Sequence, residues 1–230
     1  RKAETREVGA DDYRGGDGPL NVHTGDQPNP LFGAFIEAGQ QAGYPHTSDM
    51  NGYQQEGFGV MDMTIKQGKR WNTAQAYLRP VLDRSNLRAE TGAMVQRILF
   101  EGDTAVGVEY VQNNKTVRVK AQREVILSGG AINSPQLLML SGIGDETDLK
   151  ALGIDVVAHR PGVGQNLQDH LELYVQQACT QPLTLYKYTH QPHKTIAGVT
   201  WFINNDKGAC RTAHLEAGGF IRSEAGVRHP

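Results

Sequence analysis

The feature that most constrains this chain is a sudden change of character near its middle. Glu124-Val125-Ile126-Leu127-Ser128 runs directly into Gly129-Gly130, and Ser134-Pro135 then opens a stretch carrying Leu137, Leu138 and Leu140 before Ser141-Gly142. The apolar run reads as a buried strand ending at a tight turn. Ser134 can cap a helix, Pro135 suits its first position and Gly142 suits its end. A strand, a glycine turn and a helix in that order belong to α/β architecture. They bring backbone N–H groups close to a ligand at a helix N-terminus, where the dipole favours negative charge.

The flanks extend this reading. Ala93–Phe100, Thr104–Val111 and Thr116–Lys120, with Leu87–Thr91 before them, are rich in β-branched residues and read as a β-meander. Asn113-Asn114 supplies a turn tolerant of positive φ. Pro30–Ala42 is expected to be helical, with Leu31, Phe35 and Ala38 on one side and Gly43 at its end. Thr73–Leu78 is expected to form a second helix that Pro80 stops, and a short one over 147–152 ends at Gly153. Arg1–Asp26 is polar and turn-rich. Beyond His170 the composition shifts, with Tyr174–Ala178 strand-like, Thr195–Ile203 open between helix and strand, and Leu215–Ile221 apolar around a glycine pair. A boundary near residue 170 divides the 230 residues into 1–170 and 171–230. The expected fold class is α/β (α+β), with a second, sheet-rich part beginning after the boundary.

Composition narrows the function. There are 23 Lys+Arg against 25 Asp+Glu, a net charge of −2, so no basic excess is available to neutralise a nucleic-acid backbone. No window approaches the ~18–20 apolar residues of a membrane span. Glycine, 27 of 230, is in excess without a period-three repeat, which implies many tight turns or close approaches. Cys179 and Cys210 are too few for a disulfide framework and read as reduced thiols. The chain opens on Arg1 without a signal or transit pattern, and so reads as a processed chain or a piece of a longer one.

Several motifs read blandly. Gly162-Val163-Gly164-Gln165-Asn166-Leu167 half-matches a dinucleotide fingerprint but lacks its third glycine and its strand context, so a glycine turn against some other surface is expected. Asp49-Met50-Asn51-Gly52 fails calcium-loop spacing, and His190 with His193 sits in a polar stretch without further ligands, so no metal site is expected. Gly68-Lys69-Arg70 reads as a basic surface turn, with anion contact as the other option.

Two segments rise above these: Gly130 to Gly144, and Pro161-Gly162-Val163-Gly164-Gln165-Asn166-Leu167-Gln168-Asp169-His170. In this order and spacing they resemble the glucose–methanol–choline (GMC) oxidoreductase family, flavoenzymes that oxidise alcohols. The first matches the family's second signature at every defined position. Tyr13–Leu20, Asp49–Gly59, Gly68–Leu78, Ala105–Glu109, Glu124–Gly130 and Ala213–Ser223 extend the resemblance over nearly the whole chain, nearest to the choline-oxidising members. The resemblance implies FAD as cofactor, a partial FAD-binding Rossmann-like domain over 1–170, and the start of a substrate domain over 171–230. It implies a small choline-like alcohol as substrate, oxidised to the aldehyde, and a mitochondrial location on the matrix side of the inner membrane, with peripheral membrane association open. The family's Gly-x-Gly-x-x-Gly loop and its catalytic His find no match here. The chain therefore resembles a middle fragment, expected to be inactive alone, and no catalytic base is assigned within it.

Site residues follow from the same resemblance. Val95, in Thr91-Gly92-Ala93-Met94-Val95, is implied as a backbone contact to the adenine end, with a β-core valine as the alternative. Ser128, Gly129 and Gly130 end the expected strand where open α/β sheets bind ligands. A quaternary ammonium donates no hydrogen bonds, so its recognition needs aromatic faces and a carboxylate. Glu216, an acid within an apolar run, corresponds to the carboxylate that holds the trimethylammonium group in choline-oxidising relatives, with a salt-bridged or edge-exposed Glu as the alternative. Trp201 reads as an aromatic wall or a core residue. Two other functions stay open: another alcohol or sugar dehydrogenase of the family, and a non-catalytic α/β scaffold.

Overall fold

The computed structural model describes residues 2–26, 29–205, 207–224 and 226–227. The chain forms two compact units, one of Arg1–Leu87 with Gln176–Pro230, the other of Arg88–Val175. The tail after Gln176 thus packs with the amino-terminal 87 residues, a partition different from the boundary near residue 170.

The first unit begins with β1 (Glu4–Arg6), parallel to β2 (Leu20–Thr24). The loop between them carries Arg14, which is 3 % exposed and lies among the carboxylates of Glu4, Asp49 and Asp62. Helix α1 (Pro30–Gln41) starts as its sequence dictates: Asn29 Oδ1 accepts the Leu31 N–H at 2.9 Å, and Pro30 occupies the first turn. Its buried face is rotated from the expected one. Ile36 and Gly39 are buried, whereas Leu31 and Phe35 are partly exposed. Gly39 decides this, because a Cβ there would lie 2.4 Å from the Phe58 ring, and only a bare backbone lets the helix sit on it.

Short strands follow: β3 (Gly57–Val60), β4 (Asp62–Met63), β5 (Ile65–Lys66) and β6 (Lys69–Arg70). β4 joins β2 antiparallel, and β5 and β6 form a hairpin around Gln67 and Gly68, both at positive φ. Ala74–Leu78 is a single π-helical stretch that tightens into a 3₁₀ turn, Arg79–Val81. Pro80 therefore changes the helix type rather than ending it at once.

The second unit holds the meander of β7 (Met94–Glu101), β8 (Thr104–Gln112) and β9 (Lys115–Lys120), in the order β7-β8-β9. Asn113 (φ 51°) and Asn114 (φ 59°) make the left-handed two-residue turn expected of them. Leu87–Thr91 is not a strand. Neither is Glu124–Ser128, which runs without regular structure and leaves Ile126 75 % exposed. Apolar β-branched composition makes a strand only where a neighbour completes the ladder, and among the described residues neither segment has one.

Helix α2 (Gly130–Leu140) starts earlier than its signals suggest, so that Ser134 and Pro135 lie inside it. Gly130 takes φ +86°, and the first turn is held by the Gly129 N–H donating to Ser134 Oγ at 3.0 Å. Ser134 is therefore not the N-cap expected of it, and its hydroxyl instead accepts from the N–H of Gly129, which takes that position. Ser141 and Gly142 (φ +86°) close it. β10 (Ile143–Gly144) pairs parallel with β11 (Ala158–His159), and α3 (Glu146–Ala151) between them is capped by Asp145. Leu149 and Ile98 form the buried centre of this unit. The Gly162–Asn166 turn rests on α2, with Gly164 near Pro135 and Met139.

Tyr174–Ala178 forms no strand, and Tyr174 and Val175 are exposed; the same lack of a ladder partner applies. Back in the first unit, α4 (His193–Ile203) resolves the ambiguous stretch as helix. β12 (Ala217–Phe220) pairs antiparallel with β3, Ala217 opposite Val60 and Phe220 opposite Gly57.

Candidate functional site

The second unit contains a cleft of about 590 Å³, within the roughly 300–1,000 Å³ of small-molecule sites. One wall is β7, through Met94 and Val95. A second is the extended run Val125–Gly129, and the third is α2, through Asn133, Ser134, Gln136, Leu137 and Leu140. Val95, Ser128 and Gly129, all expected at a cofactor, therefore line one space. Gly130, also exposed, does not line it.

The chemistry of this lining is specific. No charged side chain contributes to it. Gly129, in the right-handed region, and Gly130, in the left-handed one, alternate in the manner that gathers successive N–H groups into an anion-binding concavity. Here the Gly129 N–H is already taken by Ser134 Oγ. The cleft thus offers apolar faces and amide or hydroxyl groups, suited to a flat, uncharged heteroaromatic ring and not to a phosphate. The sequence marks Ser134, Leu137 and Ser141 for their parts in building a helix, not for this cleft; the two serines, seven residues apart, fall on one face of α2.

In the first unit, Glu216 is fully buried immediately before β12. Its carbonyl accepts the Met61 N–H at 3.0 Å, which extends the β3–β12 pairing by one step. A Cβ on Gly25 would lie 3.1 Å from the Glu216 side chain, so glycine there leaves room for the carboxylate's stem. The edge-exposed alternative for Glu216 is thereby removed. Trp201 is half-buried, its indole N–H donating to the Gly68 carbonyl at 2.8 Å. A cavity of about 650 Å³ in the same unit is lined by Lys187, Lys207, Arg211, Tyr188 and His214 among others, but not by Glu216. Cys179 and Cys210 are exposed free thiols. Among the described residues no helix is long and apolar enough to cross a membrane.

The family model of GMC oxidoreductases matches residues 2–172. The chain belongs to this family. It is 63 % identical over all 230 residues to choline dehydrogenase, mitochondrial, of Homo sapiens, and 50 % identical over 230 residues to the oxygen-dependent choline dehydrogenase of Brucella ovis. It spans 39 % of the first and 42 % of the second. An FAD-dependent oxidoreductase from Chaetomium thermophilum superimposes with a TM-score of 0.80 at 26 % identity, over 95 % of this chain and 41 % of that one. The mixed helix and strand content is that of a partial α/β member of the GMC family.

Proposed function

We propose that the protein carrying this chain is an FAD-dependent oxidoreductase that oxidises choline to betaine aldehyde. The observation that carries the cofactor part is the convergence of Val95, Ser128 and Gly129 on one uncharged cleft of nucleoside size. The 63 % identity to a choline dehydrogenase supports the substrate. Residues 1–170 serve as part of the FAD domain and 171–230 as the start of the substrate domain. The likeness to a relative whose name includes "mitochondrial" supports a mitochondrial location.

When bound, the flavin supplies the acceptor for the hydride removed from the alcohol carbon. This chain's residues hold and orient. Val95 would meet the adenine edge through its backbone, while Leu127, Leu137 and Leu140 keep water from the ring faces. Gly129 and Ser128 bound the same ring on the turn side. Glu216 supplies negative charge for a trimethylammonium group, which donates no hydrogen bond and is held by a carboxylate and aromatic faces. Full burial leaves that charge unscreened by water.

The test is Glu216→Gln in the full-length protein, with choline and its neutral carbon isostere 3,3-dimethylbutan-1-ol as paired substrates. The choline KM is expected to rise at least tenfold, about 1.4 kcal/mol, with the isostere little affected. Equal effects on both substrates would remove the ammonium argument. One observation favours a second reading, a family member acting on a different alcohol. The cavity in the first unit has three cationic side chains, Lys187, Lys207 and Arg211, and no carboxylate among its described lining residues. Preference for an acidic or polyhydroxylated alcohol over choline would support it.

A further inference from the structure

We propose that Ser141 is a positioning residue for the adenosine half of the flavin nucleotide, acting through the hydrogen bonds that fix β7 against α2. The proposal rests on the flavin reading above.

β7 is an edge strand, and it contains a bulge. Val95 pairs with Tyr110 and Arg97 with Glu109, which leaves Gln96 as an extra residue. A bulge loosens the ladder and re-aims neighbouring side chains. What pins the strand just past it is a side chain. The N–H of Ile98 donates to Ser141 Oγ at 2.8 Å, and the same hydroxyl donates to the Leu137 carbonyl at 2.6 Å. The single hydroxyl proton is committed to Leu137, so the oxygen's lone pairs face Ile98. Ile98 and Ser141 are 6 % and 7 % exposed, so water has little access to replace the bond. Among the described residues no other hydrogen bond joins β7 to α2 or its cap.

The two elements joined in this way are two walls of the cleft. Val95 lies three residues before Ile98, and Leu137 lines the opposite side. At the other end of α2, Ser134 holds the remaining wall, Val125–Gly129, through the Gly129 N–H. Serines 134 and 141, two helical turns apart, thus set the spacing of the cleft from its two ends. Neither needs to touch the ligand. Loss of the Ser141 hydroxyl lets β7 drift by the slack its bulge allows, and a ring slot that widens by a fraction of an ångström loses contact on both faces.

The experiment uses the full-length protein and its S141A and S141T variants, titrated with FAD, ADP and FMN. S141A is expected to raise the Kd for FAD and for ADP about tenfold and to leave FMN, which lacks the adenosine half, within twofold. S141T keeps the hydroxyl and is expected to restore both. Leu149→Val, which perturbs the same unit's core away from the cleft, serves as the stability control and is expected to bind ADP normally. As a measurement free of any variant, ADP added to wild-type protein should slow hydrogen exchange at the Ile98 amide. The proposal is overturned if S141A binds ADP as wild type does, if FMN weakens equally, if Leu149→Val loses as much affinity at equal loss of Tm, or if ADP leaves Ile98 exchange unchanged. Wild-type protein that binds neither FAD nor ADP would instead overturn the flavin reading itself.

Discussion

Arg14 directs Nη1 at both carboxylate oxygens of Asp49, at 2.7 and 2.8 Å. The same nitrogen donates to Asp62 Oδ2 at 2.7 Å, while Nε and Nη2 fork onto Glu4 at 3.0 and 3.1 Å. One guanidinium thus ties β1, the loop before β3, and β4 together. Its proton is held more tightly than usual, first by the Glu4 hydrogen bond.

Removing that guanidinium leaves Glu4 without its cation and Asp49 and Asp62 with only the more distant Arg6, at 3.2 and 4.0 Å, in a largely buried setting. Arg14→Ala is expected to cost the first unit about 3–5 kcal/mol, read as a lower urea midpoint. Arg14→Lys recovers only part of this, because an ammonium cannot make the fork. A midpoint unchanged in Arg14→Ala would show the cluster to be energetically idle.

The same cluster predicts acid sensitivity. The Arg14 hydrogen bond, together with the Gly15 N–H, holds the Glu4 carboxyl below its ordinary 4.5. The folded state therefore binds this proton less readily than the unfolded chain. Its stabilising effect is complete above the unfolded value and is lost as pH falls through the lower folded one. Urea midpoints from pH 7 to pH 3 should show a steeper acid limb in wild type than in Glu4→Gln. Parallel limbs would contradict this.

Gly142 sits at φ +86° where a Cβ would lie 2.3 Å from the Asp155 carbonyl oxygen. Both the backbone hand and the close approach demand glycine. Gly142→Ala is expected to destabilise the second unit by at least about 2 kcal/mol, whereas Gly153→Ala, at φ +71° with open space around it, costs only about 1–2 kcal/mol. Chemical denaturation of the two variants side by side checks the order.

Filling the cleft should block it. Val95→Trp adds an indole to the β7 wall and is expected to weaken ADP binding at least tenfold, while a similar change on the sheet's far surface, Arg118→Trp, does not. Isothermal titration of both variants decides it.

The local parts of this fold were legible because their causes are local. Asn29-Pro30 opens α1, Asn113-Asn114 turns β8 into β9, and Gly43 and Gly153, both left-handed, follow their helices. Strands are different objects, since a ladder needs a second chain segment at the right place. Glu124–Ser128, Leu87–Thr91 and Tyr174–Ala178 have strand composition and no ladder. The buried face of α1 lies one position on from the one its own sequence suggests, because the deciding contact, Phe58 against Gly39, comes from elsewhere in the chain. For the site, the resemblance singled out Val95, and the expected strand end Ser128, Gly129 and Gly130; Val95, Ser128 and Gly129 line one cleft, Gly130 does not, and Glu124–Ser128 is no strand. Ser141 and Arg14 act across 43 and 48 residues of sequence respectively, to Ile98 and Asp62, and no local pattern names those partners.

The pairing of β3 with β12 has a consequence for biosynthesis. Gly57–Val60 meets its partner only when Ala217–Phe220 has been made, roughly 160 residues later, a delay of about 8–30 s at ordinary translation speeds. During that interval the nascent segment carrying Gly57–Val60 presents an unfinished sheet edge to its surroundings, and the buried environment of Glu216 does not yet exist. Slowing the ribosome between the two segments would lengthen that vulnerable window without altering a single residue of the finished protein.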